Sequence, residues 1–280
     1  VLFVFPNKRA GTFFLNHLKN VARRRGVGIL APAVMGVSEW IEDVSGLVTD
    51  SRVNLLFRLY NTYRSVVNRM SEKSGKKGIV SDFDRFCKWG ETVLSDFNDV
   101  DMYMVDADDL FSNLNDYKSI STDFLTDEQK EVMLDYFGLE PDREMLPTFW
   151  EHYNNPNDKG DVKRRFIKLW NVMGTIYKEF RLELEKDGLA YTGQAYRRAY
   201  QVLSDPEKLP GTLPYKRVVM VGFNALSTVE YNIFKVLRDA VYTDGNGNEQ
   251  PLADFYWDHP SLFIGERPDV DPDGFYNSSA

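Results

Sequence analysis

The chain has 280 residues, 43% hydrophobic and 14% aromatic, with a formal net charge of −8. This content supplies a core for one large domain or two modest ones and excludes a disordered chain. The acidic total excludes a surface that binds nucleic acid all over, so any DNA contact has to come from a local patch.

Val1-Leu2-Phe3-Val4-Phe5 is a continuous apolar run, the pattern of a strand covered on both faces. Pro6 to Gly11 predicts a turn. Phe13, Phe14, His17, Leu18, Val21 and Ala22 recur at spacings of three and four, so an amphipathic helix follows, with His17 near its apolar face. Arg23, Arg24 and Arg25 fall in its last turn and Gly26 ends it. Gly28-Ile29-Leu30-Ala31 predicts a second strand, and Val37 to Leu47 a helix capped by Ser38. This strand–helix–strand–helix order is the signature of a parallel sheet.

Helical spacing then dominates. Leu55, Leu56, Leu59, Tyr60, Tyr63 and Val66 trace one stripe, broken at Gly75-Lys76-Lys77-Gly78. Ser81, with Asp84 three residues on, predicts a capped helix whose stripe is Phe83, Phe86, Trp89, Val93, Leu94 and Phe97. Shorter helices are expected at Leu110–Leu114 and Asp127–Phe137, and a polar loop over 138–162. The longest stripe runs from Phe166 to Leu184 and closes at Asp187-Gly188, with another helix over 192–203. Strand character returns in Arg217 to Phe223. Ser227 caps a helix through Tyr231, Phe234, Leu237 and Val241, the run 244–248 is a turn, and Ala253 to Trp257 is a strand. The expected architecture is α/β: a parallel-sheet domain over 1–50 and 206–280, with an all-helical domain, 51–205, inserted into it.

Cys87 is the single cysteine, which excludes an intrachain disulfide and fits a reducing, cytoplasmic setting. It reads as a buried thiol on a helix. No apolar run approaches the length of a membrane span, and no charged segment precedes the N-terminal apolar run as in a signal peptide. Both termini read as cut ends of a longer chain.

The residues for catalysis are sparse. A phosphate-binding loop of the form GxxxxGK[ST] is absent, and Gly75-Lys76-Lys77 lacks the first glycine and the hydroxyl residue. Magnesium would need carboxylates at the end of a buried strand, yet the strand at 217–221 leads into Gly222-Phe223-Asn224. Asp127-Glu128 reads as first-turn helix charge. Pro141-Asp142 with Asp161-Val162-Lys163 matches a nuclease string, but such carboxylates have to sit on adjacent strands, and these fall in or beside a polar loop. His17, His152 and His259 have no ligand at metal spacing, and Asp106-Ala107-Asp108-Asp109 reads as a helix start. No catalytic residue, metal or cofactor is expected in this segment.

The turn Phe5-Pro6-Asn7-Lys8-Arg9-Ala10 leaves the carboxyl end of a parallel strand, where α/β sheets bind ligands. Helix N–H groups there attract phosphate, Lys8 and Arg9 add charge, and Phe5 or Asn7 could meet a base. The same stretch also reads as a solvated turn with snorkelling basic side chains, and local physics favours that.

This turn resembles the TFTNKAA motif of UvrD-type superfamily 1 helicases, which touches single-stranded DNA. The strand at 29–34 and the helix from Ser38 resemble the next DNA-approaching motif, and Tyr215 to Glu230 resembles the Walker B region, with Gly222-Phe223 in place of Asp-Glu. Together with Trp89-Gly90-Glu91, Leu94-Ser95-Asp96-Phe97 and Tyr177 to Tyr191, the ordered motifs are similar to AddB-type helicase–nuclease subunits of the Bacteroides lineage. The resemblance implies a RecA-like domain with a helical insertion and DNA contacts at Phe5, Asn7, Lys8, Arg9 and Ser38. It further implies a degenerate Walker B position at Gly222 and Phe223 and an AddA-type helicase–nuclease partner. Complete members continue into further helicase-like domains and a PD-(D/E)xK exonuclease domain. The alternative expectation is an interaction module that docks the partner without touching DNA; a working ATPase ranks last.

Overall fold

The computed structural model describes residues 1–74, 82–112, 161–205, 213–243 and 246–257. The chain divides into two compact units, Val1–Leu47 with Ala195–Ala280, and Val48–Gln194. The fold is α/β with a parallel main sheet.

The first unit holds a four-stranded sheet in the order β2-β1-β5-β8, with β1 Leu2–Phe5, β2 Ala33–Gly36, β5 Val218–Val221 and β8 Ala253–Tyr256. All three pairings are parallel: Leu2 aligns with Ala33 on one side and Val218 on the other, and Val218 with Ala253. Leu2, Val4 and Val218 are fully buried, as a strand covered on both faces requires. Arg217 ties the amino end of β5 to β8 through a 2.9 Å hydrogen bond to the Asp254 carboxylate. Among the described residues, four helices belong wholly or in part to this unit: α1 Lys8–Arg25, α2 Val37–Ser45, α7 Thr192–Leu203 and α8 Thr228–Asp239. A β6–β7 hairpin, Val241–Thr243 with Glu249–Pro251, is antiparallel.

Local chemistry sets the helix limits. In α8, Ser227 and Glu230 form a reciprocal capping box. In α1, the Val27 N–H reaches back to the Ala22 carbonyl past left-handed Gly26, while Arg23–Arg25 face the negative end of the helix dipole. A Cβ on Gly11 would stand 2.6 Å from Val34 Cγ1, so α1 crosses β2 at a separation that only glycine permits without moving Val34.

The second unit is built on α3 Arg52–Ser74, α4 Phe83–Met102, α5 Ala107–Ser112 and α6 Asp161–Lys186, with a short parallel ladder between β3 Val48–Thr49 and β4 Leu189–Ala190. Leu59, Val66, Phe86, Val93, Phe97, Phe180 and Leu184 form its core. Aromatic pairs add directional contacts, such as Phe86 edge-on to Trp89 at 4.5 Å and Phe180 stacked on Tyr191 at 6.0 Å. No described helix is long and apolar enough to cross a membrane.

Several local expectations are corrected. The second strand is Ala33–Gly36, beyond Pro32. Ile29 and Leu30 have strand-like side chains, but their segment has no regular structure and Leu30 is 97% exposed. Strand β2 passes directly into α2, so Gly36 is the N-cap, without a side-chain capping bond, and Ser38 lies one residue inside the helix. Asp82, rather than Ser81, stands at the cap of α4. Asp161-Val162-Lys163 opens α6 instead of ending a loop, which removes the strand that a nuclease site would need there. His17 is exposed and Cys87 is half-buried beside the helical core. The β3–β4 ladder and β6–β7 hairpin were not expected. The sequence features at 75–78, 127–137, Pro141-Asp142 and His152 lie outside the described residues.

Candidate functional site

Strand order places the candidate site. From β1 the chain crosses through α1 to β2 on one side, whereas from β5 it passes through α8 to β8 on the other. Right-handed crossovers in opposite directions put α1 and α8 on opposite faces of the sheet. The crevice at such a reversal lies outside the carboxyl ends of the two central strands, here β1 and β5. Its walls are Phe5-Pro6-Asn7-Lys8-Arg9 and Val221-Gly222-Phe223-Asn224.

On the β1 side, Pro6 follows the strand and Asn7 caps α1 in extended conformation, φ −152° and ψ 159°. The Asn7 Oδ1 accepts from the Ala10 N–H at 2.9 Å. This cap serves one of the free N–H groups at the helix start and leaves others directed outward. No acidic residue occupies the first turn, so Lys8 and Arg9 add positive charge to the positive dipole end. Both side chains are exposed. Lys8 Nζ lies 3.1 Å from Glu39 Oε2, a solvent-facing pair linking the starts of α1 and α2. Arg9 has no ion-pair partner among the described residues. Ser38 is exposed on the first turn of α2. Phe5 is corrected: only 5% exposed and 5.3 Å from the Phe14 ring, it belongs to the core and presents no face to a base.

On the β5 side, Gly222 takes a left-handed φ of 77° and donates its N–H to the Tyr256 carbonyl at 2.8 Å. A side chain at this φ is strained, so the turn itself selects glycine. The next residue points inward: Phe223 is buried and packs edge-on against Phe234 at 5.0 Å. Gly222 to Leu226 contains no carboxylate. Among the described residues, no group of three or more His, Cys, Asp or Glu is placed to hold a metal ion.

A second polar constellation escaped the sequence reading. Fully buried Asp101 accepts hydrogen bonds from the Tyr177 hydroxyl at 2.7 Å and from the Tyr191 hydroxyl, with Arg181 Nη1 at 3.6 Å. Burial alone would lower the Arg181 guanidinium, but the Asp101 charge, aided by Tyr191 and Tyr177, raises it. Burial, then Asp101, pushes the Tyr191 hydroxyl well above its ordinary value. Each of the four side chains meets another of the set, although the buried Arg181 Nε has no hydrogen-bond partner, and the arrangement ties α4, α6 and the segment after β4 together. One signal could have found it: Asp101 sits four residues beyond Phe97, on the apolar stripe of α4.

The chain matches no protein-family model and no curated protein.

Proposed function

We propose that this chain is a motor-silent, helicase-like segment of a cytoplasmic DNA double-strand-break-processing subunit of the AddB type. In this reading the parallel sheet is a RecA-like domain into which the helical unit is inserted, and an AddA-type helicase–nuclease is the partner subunit. Asn7, Lys8, Arg9 and Ser38 contact DNA by holding its phosphates at the starts of α1 and α2. The supporting observation is the contrast between the two walls of one crevice. The β1 wall carries two exposed cations, Lys8 paired with Glu39, on a helix start with no acid in its first turn, whereas the β5 wall ends in a left-handed glycine and a core phenylalanine, where a motor holds acids for magnesium.

Fluorescence anisotropy with labelled oligo-dT at low salt tests this. Binding should be weak, and Lys8→Ala/Arg9→Ala should weaken it further. Each phosphate contact on single strands contributes about 0.7 to the slope of log K against log salt, so losing two should flatten that slope by about 1.4. Equal affinity and slope in the variant would remove DNA from this surface.

A further inference from the structure

The cations of the chain are unevenly placed. Residues 1–38 contain six Lys or Arg and no Asp or Glu, a local charge of +6 in a chain whose total is −8. Four of the six, Lys19, Arg23, Arg24 and Arg25, lie in the second half of α1, away from the crevice. The burial of α1 is also unusual. Of its 18 residues only Gly11 is buried; Phe14, Leu18, Val21 and Ala22 are half-buried, while Phe13 and Leu15 stay open, 68% and 37% exposed. The segment that follows adds Val27, Ile29 and Leu30, exposed by 56%, 46% and 97%. Between α1 and this segment runs an open groove of about 640 Å³. Leu15, Leu18, Ala22, Val27 and Ile29 form its apolar lining, and Lys19 and Arg23 its charged members.

We propose that this groove docks an acidic amphipathic helix from a partner protein. The aliphatic floor matches the apolar stripe of a helix laid into a groove, with anchors at positions i, i+3, i+4 and i+7. The charge complements it: the groove lining contains Lys19 and Arg23 and no Asp or Glu, so acidic side chains flanking such a stripe meet cations in the groove. The lining contains no aromatic ring on which a base could stack, which favours a polypeptide over single-stranded nucleic acid. The site is separate from the crevice between β1 and β5 and does not depend on the DNA reading.

The test titrates the full chain with a fluorescein-labelled peptide of about 18 residues, with leucine at i, i+3, i+4 and i+7 and glutamate on the opposite face. A peptide with lysine in place of glutamate serves as the charge control. Saturable binding with a Kd on the order of micromolar is expected for the acidic peptide only. Lys19→Glu/Arg23→Glu and, separately, Ile29→Asp should each raise that Kd by at least about tenfold, with unchanged far-ultraviolet circular dichroism. All three positions are exposed, so the variants keep the fold. Lys8→Ala/Arg9→Ala should leave peptide binding unchanged, which separates this site from the crevice. The proposal is overturned by absence of saturation at about 100 µM peptide, by equal binding of the lysine peptide, or by wild-type affinity in both groove variants. Displacement of the peptide by oligo-dT, with oligo-dT binding lost in the same variants, would assign the groove to nucleic acid instead. A dimer in sedimentation velocity that Ile29→Asp dissociates would assign it to a second copy of the chain.

Discussion

Writing an acid pair into the end of β5, as Gly222→Asp/Phe223→Glu, should cost the first unit most of its stability. A non-glycine residue at φ 77° costs roughly 1–2 kcal/mol. Removing the buried Phe223 ring costs about 3–5 kcal/mol, and its edge-on contact with Phe234 is worth roughly another 0.5–1.5 kcal/mol. The double variant therefore loses on the order of 5–8 kcal/mol, against a domain total of about 5–15 kcal/mol. Gly222→Asp alone should lose only the backbone part, and Phe223→Leu, which keeps much of the volume, less than about 1.5 kcal/mol. Urea unfolding followed by circular dichroism orders the variants, with the double variant far below the two single ones. A wild-type midpoint in the double variant would refute the reasoning, because neither the left-handed turn nor the inward ring would then hold this end of β5. Tight binding of a fluorescent Mg-ATP analogue by the wild-type chain would separately refute the silent motor.

Two further predictions concern the helical unit. Asp101→Asn should destabilise it by about 3 kcal/mol, because Arg181 loses its buried counter-charge, whereas Tyr191→Phe removes one hydroxyl and should cost about 1 kcal/mol; equal losses in thermal unfolding would show that the charge is not what matters. Burial, then the neighbouring charge of Asp99, lifts the Asp96 carboxyl to about 6. A folded pKa above the unfolded value of about 3.9 means that the ionised form opposes folding, so its cost is absent below pH about 4, grows between about 4 and 6, and is fully present above that. The side chain also faces solvent, which keeps the effect below about 1 kcal/mol. Asp96→Asn should thus raise the melting temperature slightly at pH 7.5 and leave it unchanged at pH 4, and a gain confined to acid pH would contradict this.

The elements legible in the sequence were those whose burial is periodic. The stripe Phe86, Trp89, Val93 and Phe97 and that of Ile176, Phe180 and Leu184 lie in the core of the helical unit, and the apolar runs at Leu2–Phe5 and Val218–Val221 became central strands. Short pairings were not legible, because two residues such as Val48-Thr49 carry no period and their ladder is settled by a partner some 140 positions away. The second strand was misplaced because Ile29 and Leu30 look like core residues and are not buried. At the crevice, charge and position could be read from Lys8, Arg9 and Gly222, but the orientation of a ring could not. A phenylalanine at the end of a strand can face either the ligand or the core, and packing against Phe14 decides the matter for Phe5.

The register of β1 has a consequence for synthesis. Leu2 finds its partner Ala33 soon after both leave the ribosome, but its other neighbour, Val218, is made much later. At roughly 5–20 residues per second, one whole edge of an uncharged apolar strand waits on the order of ten to forty seconds for its mate. During that interval the nascent chain exposes an unpaired edge of the kind that recruits other strands, while the helical unit, continuous in sequence, can already close on itself. Yield of native protein should therefore depend more on what shields that early edge than on the final stability of either unit.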